Sequence, residues 1–427
     1  MKSFKRFFIL WLTQTFSTFG SEMTSIALSV WAYQLTGSAL STSLLMVSSF
    51  APYVLLSIFA GALSDRWNKK KTMLWCDSFA AMCTVIILIL LKTGNLHIWH
   101  LYILNALNGC MNTFQQPASE VATTRILPEE YYQKVGILRY IGTSINTIFA
   151  SILAIAIMEL LGISFVIGFD LCTFAVAFLI LLFWIEIPEE ETKAEEKEPV
   201  LRSAKAGFVY LKENPGILML ILFLAAINFT ASMYEAAMTP MILSRNGGSE
   251  QALGLVKMTT GITMLAGSVL ASFFKEPKSR VRVICNTLLF SMAFENFILA
   301  FGQTTWSWCI GALLGWITIP LMSTNLDALL RLNIPVEMQG RVYATRNSLQ
   351  FFTIPVGTFL SGFLVDNVFE PVMAMQNSNS MLVKMFGTGK GSGAGFFFFV
   401  IAFVGIATCV YFRRSPALWE LEKKEQS

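Results

Sequence analysis

Long apolar runs separated by short charged turns set the pattern of this chain. Twelve stand out, at roughly 7–35, 39–63, 72–91, 96–117, 136–158, 162–187, 216–243, 251–274, 281–301, 304–328, 342–368 and 394–412. Each is near or above the ~20 residues a helix needs to cross the hydrocarbon core of a bilayer. Within lipid every backbone amide has to find its partner inside its own segment, so the pattern predicts helices and no strands. The fourth run is unusually polar, with Asn105, Asn108, Asn112, Gln115 and Gln116. Asn at i, i+3 and i+7 shares one helix face. That face is expected to look into a central cavity or to bond neighbouring helices.

Composition agrees with a membrane protein. Charged residues make up 14% of the 427 residues, against about 25% in soluble domains. No basic face recurs on a soluble fold, which argues against nucleic acid as a partner. The seven cysteines all fall inside apolar runs without a CxxC, so neither a disulfide framework nor a zinc site is expected. His97 and His100 form an isolated HxxH in a turn and read as interfacial residues at a helix end. The opening MKSFKRFFILWL imitates a signal peptide, but the apolar run continues to about Leu35 without a small-residue cleavage site, so a retained first helix is expected.

The bases then orient the chain. With the N-terminus inside, 26 of the 31 Lys and Arg fall in cytoplasmic segments; Lys92, Arg245, Lys257, Lys384 and Lys390 are the other five. This asymmetry satisfies the positive-inside rule for twelve spans with both termini cytoplasmic. The longest inner connection, 187–215, is charged and flexible in its first half, and from about Pro199 it has the pattern of an amphipathic helix. The expected organisation is an N-terminal six-helix bundle (1–187), a cytoplasmic linker (188–214) and a C-terminal six-helix bundle (215–427).

An internal repeat supports that division. At an offset of 207, Pro128 matches Pro335, Val135 matches Val342, Arg139 matches Arg346, and Glu159 matches Asp366; at 206, Gly61 matches Gly267. Two repeated six-helix sets are the usual plan of a secondary transporter, with the substrate site expected between the halves near mid-membrane.

One charged turn is specific. GALSDRWNKKK, residues 61–71, resembles the signature loop between helices two and three of the major facilitator superfamily, G-x-L-x-D-R-x-G-R-K, through Gly61, Leu63, Asp65, Arg66 and Lys70. Lys69 replaces the usual Arg, and Asn68 replaces Gly, a substitution expected to keep a left-handed residue there. Lipid and topology account for the three lysines. They do not account for Asp65, which the resemblance sets against the N-terminus of helix eleven as a cytoplasmic gate, with Arg66 beside it. The second repeat has Ala271 and Ser272 at this place, so the gate is expected on one half only.

Further stretches resemble the macrolide-efflux type of exporter within that superfamily. They are the 35–39 turn LTGSA, the Gln-Pro117-Ala end of helix four, Asp170, and Pro-Val-Glu-Met-Gln-Gly340-Arg-Val before helix eleven. The resemblance implies a multidrug exporter, although similar loops occur in exporters of peptides and siderophores. Two departures concern proton exchange. Asn108, or Asn105 in another alignment, stands where many such exporters carry an arginine. Helix five lacks the antiporter Gly-Pro motif, although Pro355-Val-Gly357 occurs in helix eleven.

Ionisable residues inside a bilayer are costly, about 2.5–3.5 kcal/mol each at mid-membrane, and so are functional candidates. By helical rise Glu22 lies about 22 Å into helix one and Glu295 about 21 Å into helix nine, both near the midplane. Glu22 is the first choice for proton coupling or for binding a cationic substrate; packing among Thr18, Ser21 and Thr24 is the competing role. Asp170 suits either helix packing or the cavity. Glu235 and Lys257 fall at similar heights on consecutive helices, which predicts an outer ion pair. Glu159 and Asp366 stand near outer helix ends and are expected to be solvated. Asp77 is the one acid between Met73 and Leu91.

Phe386-Gly-Thr-Gly-Lys-Gly-Ser-Gly-Ala-Gly395 suggests a phosphate loop but fails both the Walker and the GxGxxG patterns. It is expected to be an external loop, with an interfacial segment over 381–386. No catalytic constellation or metal-ligand spacing is visible. The sequence therefore predicts no enzyme and no cofactor, but a monomeric, multi-pass protein of the cell membrane exporting amphipathic small molecules on the proton gradient. Export of peptide, siderophore or lipid, uptake by the same fold, and a non-transporting sensor or scaffold are the alternatives.

Overall fold

A computed structural model describes residues 2–127, 132–188 and 200–423. The regular elements of the described residues are all helices, with no strands among them. The first six helices are α1 (Lys2–Thr36), α2 (Ala39–Arg66), α3 (Lys69–Lys92), α4 (Ile98–Ile126), α5 (Tyr132–Leu161) and α6 (Ile163–Phe183). After the linker follow α7 (Val200–Glu213), α8 (Pro215–Ser244), α9 (Glu250–Phe273), α10 (Arg280–Phe301), α11 (Thr305–Trp316), α12 (Ile319–Asn333) and α13 (Val336–Leu364). A π-helical turn, Val365–Phe369, leads into α14 (Glu370–Ala374), then α15 (Met381–Phe386), α16 (Ser392–Arg413) and α17 (Pro416–Lys423).

Ten segments among the described residues are long and apolar enough to cross a membrane. Helices α1 and α4 match them in length, at 35 and 29 residues, and carry more polar side chains. Together they account for the twelve expected runs. The tenth run, expected as one helix, is interrupted at Ile317–Thr318 between α11 and α12, just before Pro320, whose ring leaves no amide to donate.

The chain divides into two compact units: residues 1–35 with 45–197, and residues 36–44 with 198–427. The short segment 36–44, the turn into α2, thus belongs with the later helices. In the first unit α3 packs on α4 and α6, and α5 packs on α6. Lipid gives helices no hydrophobic reason to associate, so close contact depends on small residues. Gly109 of α4 supplies it, since a Cβ there would fall 2.2 Å from the Ser49 carbonyl oxygen of α2.

In the second unit α8 packs against α13 and α16, and α10 against α16. Phe223 stacks on Phe412 with ring centroids 5.1 Å apart. Gly267 of α9 admits the Ile317 carbonyl where α11 gives way to α12. Helix α7 packs on α13 through Gly207, where a Cβ would meet Thr345 Oγ1 at 2.4 Å. The amphipathic half of the linker is therefore held by this unit. Of the Gly-rich loop, Met381–Phe386 forms α15, and Phe397 and Phe398 are fully buried.

Asp366 corrects an expectation. It accepts hydrogen bonds from Ser38 Oγ, Ala39 N and Leu40 N, and so caps α2 instead of facing solvent.

Candidate functional site

Three carboxyl groups are enclosed within spans: Asp77, Asp170 and Glu295 are each 8% exposed or less. Among the described residues no ion pair involves any of them. The hydrogen-bond donors to the two aspartates, Ser21 and Gln115, are neutral.

Asp170 sits on α6 against α1. A Cβ on Gly20 would lie 2.9 Å from Asp170 Cα, so glycine brings the two backbones together. Ser21 Oγ, the next residue on α1, donates to Asp170 Oδ1 at 3.0 Å. Glu22 follows Ser21 and is exposed on α1. Asp77 of α3 accepts from the Gln115 side-chain amide of α4, so one member of the amide-rich run is a partner for an acid. On the same helix Asn105 and Asn108 are half-buried, Asn112 is exposed, and Asn108 Oδ1 has no hydrogen-bond partner among the described residues.

In the second unit Glu295 of α10 occupies a niche made by glycine. A Cβ on Gly315 of α11 would fall 2.3 Å from Glu295 Cδ. Tyr234 of α8 and Trp316 of α11 stand next to the carboxyl group. Glu295 Oε1 and Trp316 Nε1 both lack a hydrogen-bond partner among the described residues. One residue from Tyr234, Glu235 meets Lys257 of α9, with Lys257 Nζ 2.7 Å from Glu235 Oε1.

The charged turn is tighter than expected. Helix α2 runs to Arg66 and α3 begins at Lys69, leaving Trp67 and Asn68 as the connection. The side chains of Gly61, Asp65 and Arg66 lie outside the described residues. Asn68 is not left-handed; its φ is −60°, and its Oδ1 accepts from Lys71 N at 2.8 Å as the N-cap of α3. An amide caps a helix start, which glycine cannot do with a side chain. Lys69 is buried. Lys70 Nζ donates to Leu182 O at the C-terminal turn of α6, where a cation complements the helix dipole.

The histidines form the N-cap of α4, with His97 N donating to His100 Nδ1 at 3.0 Å. Among the described residues no group of acids, histidines and cysteines could hold a metal. Arg245, by its place in the sequence an outer charge, is 5% exposed and donates to the carbonyls of Leu299, Ala300 and Phe386. Sequence offered a signal for Asp77, a lone acid in an apolar run, but none for the carbonyls that Arg245 gathers.

Long lipid-compatible helices in two units, with enclosed acids, define a multi-pass membrane protein. The chain belongs to the Major Facilitator Superfamily, whose sequence model matches residues 10–358. It is similar to Macrolide efflux protein A of Streptococcus pyogenes, 22% identical over 367 residues, covering 85% of this chain and 90% of that protein. Among solved structures it is similar in fold to the nucleoside transporter NupG, with a TM-score of 0.67 and 14% identity over 96% of this chain and 98% of that one. An auto-inhibited peptide transporter of the POT family has a TM-score of 0.69 and 13% identity, with 97% of each chain covered.

Proposed function

We propose that this protein is a proton-coupled exporter of amphipathic small molecules, macrolides among them, working by alternating access in the cell membrane with both termini cytoplasmic. The likeness to a macrolide efflux protein along 85% of the chain carries the substrate class. The coupling reading is supported by Asp170 and Glu295, membrane-embedded carboxyls in contact only with neutral groups among the described residues. A carboxylate in low dielectric without a cation is costly, whereas its protonated form is not. Such a group takes up a proton when closed off from water and releases it when water arrives. Glu22, exposed on α1, serves cationic substrate or the same proton. Asp65 and Arg66 act as the inner gate. The protein works as a monomer and needs no cofactor beyond the proton gradient.

The test is uptake of a panel of macrolides and cationic dyes into everted vesicles, with an imposed gradient acid inside. Accumulation of macrolides that vanishes on adding a protonophore is expected. Accumulation of peptides or nucleosides instead, with macrolides ignored, would replace the substrate class.

A further inference from the structure

The π-helical turn after α13 aims an acid at the start of another helix. Asp366 Oδ2 accepts from Ser38 Oγ at 2.6 Å and Leu40 N at 2.9 Å, and Oδ1 accepts from Ala39 N at 3.0 Å. Those amides are among the unpaired donors at the N-terminus of α2, where a negative charge is favoured. π turns are rare and concentrate at functional places. One turn earlier, Gly362 lets the helices touch; a Cβ there would lie 2.7 Å from Leu40 Cα and 2.5 Å from Ser43 Oγ. Ser43 is fully buried. Lys390, from the Gly-rich loop, closes on the same turn, its Nζ 2.6 Å from where a Cβ of Gly37 would stand. Gly37 has φ +61°, so the turn needs glycine.

The geometry points to Asp366 as a releasable outer latch that holds the N-terminus of α2 on α13, with Lys390 as its second clasp. Hydrogen bonds and a helix dipole fasten it. Water replaces the bonds when the contact opens, so the energy of opening is small beside that of separating a packed core. Asp366 is here a positioning residue and touches no substrate. The role rests on transport by alternating access, in which the outer end of α2 must at some stage be free.

The test uses Ser43→Cys in the full chain in proteoliposomes, read by a membrane-impermeant maleimide, with the native cysteines as background. Asp366→Ala removes all three bonds and is expected to speed labelling tenfold or more, about tenfold being the factor for a single hydrogen bond to a charged group. Asp366→Asn, which keeps the shape and an acceptor, and Ser38→Ala, which removes one bond, should fall between. Equal rates in all four chains would overturn the latch. Labelling needs no transported substrate, so it decides the latch even where proton-coupled export fails.

Discussion

The carboxyl group of Glu295 fills the space that a side chain at Gly315 would occupy, with Glu295 Cδ 2.3 Å from the position of a Cβ there. The fit joins α10 to α11 and keeps an acid inside the second unit without an ion pair among the described residues.

Gly315→Ala should therefore destabilise the protein by about 1–3 kcal/mol, the usual cost of overpacking. Glu295→Ala in the same chain should recover part of that loss, because the two changes share one space. Thermal unfolding in detergent of the four chains of this cycle measures the coupling. Strict additivity would mean that the two groups do not compete for the niche.

The Glu235–Lys257 pair is partly open, with side chains 37% and 23% exposed. Lys257→Met should lower stability by about 1–2 kcal/mol, chiefly by leaving Glu235 unpaired. Glu235→Gln added to Lys257→Met should restore most of it. Melting temperatures check this, and a double variant no better than the single one would assign the loss to packing of the lysine stem.

Arg245 gathers three carbonyl oxygens from α10 and the end of α15. Arg245→Ala should cost about 3 kcal/mol or more, since the oxygens are left without that donor. Lysine, with a compact charge in place of a planar fork, should recover only a minor share. Burial also lowers the Arg245 pKa to about 10. For a base depressed on folding, the unfolded chain holds more protons above pH 10, so this residue's effect favours the folded state as pH rises through that range. A melting curve from pH 9 to 11 with and without Arg245→Ala isolates it, and parallel curves would mean that the group does not titrate there.

Asp170→Asn keeps an acceptor for Ser21 and removes the exchangeable proton. Gradient-driven flux should fall tenfold or more, while substrate exchange without a gradient persists. Glu22→Gln should raise KM for cationic substrates more than it lowers kcat. Loss of both activities in Asp170→Asn would instead mark a packing role for Asp170.

The spans were legible because lipid imposes one rule on every backbone amide, and run length alone reports it. Boundaries slipped where charges continue a helix: Lys69 to Lys71 read as a loop, yet they are the first turn of α3 behind the Asn68 cap. Glu235 and Lys257 could be paired on paper because consecutive helices fix both heights. Asp77 with Gln115 depends on which faces of α3 and α4 meet, and Asp366 with the start of α2 on a meeting of segments far apart in sequence. Spacing along one chain carries no such information. The glycines that make the niches, Gly20 and Gly315, were equally silent, since a missing side chain leaves no pattern.

The most direct measurement of proton-coupled export is proton movement itself. Proteoliposomes loaded with a pH-sensitive dye and containing the full chain should show an internal pH change when a macrolide is added without an imposed gradient. The change is expected to vanish in Asp170→Asn. Macrolide flux of normal rate with an unmoving dye signal would contradict the coupling.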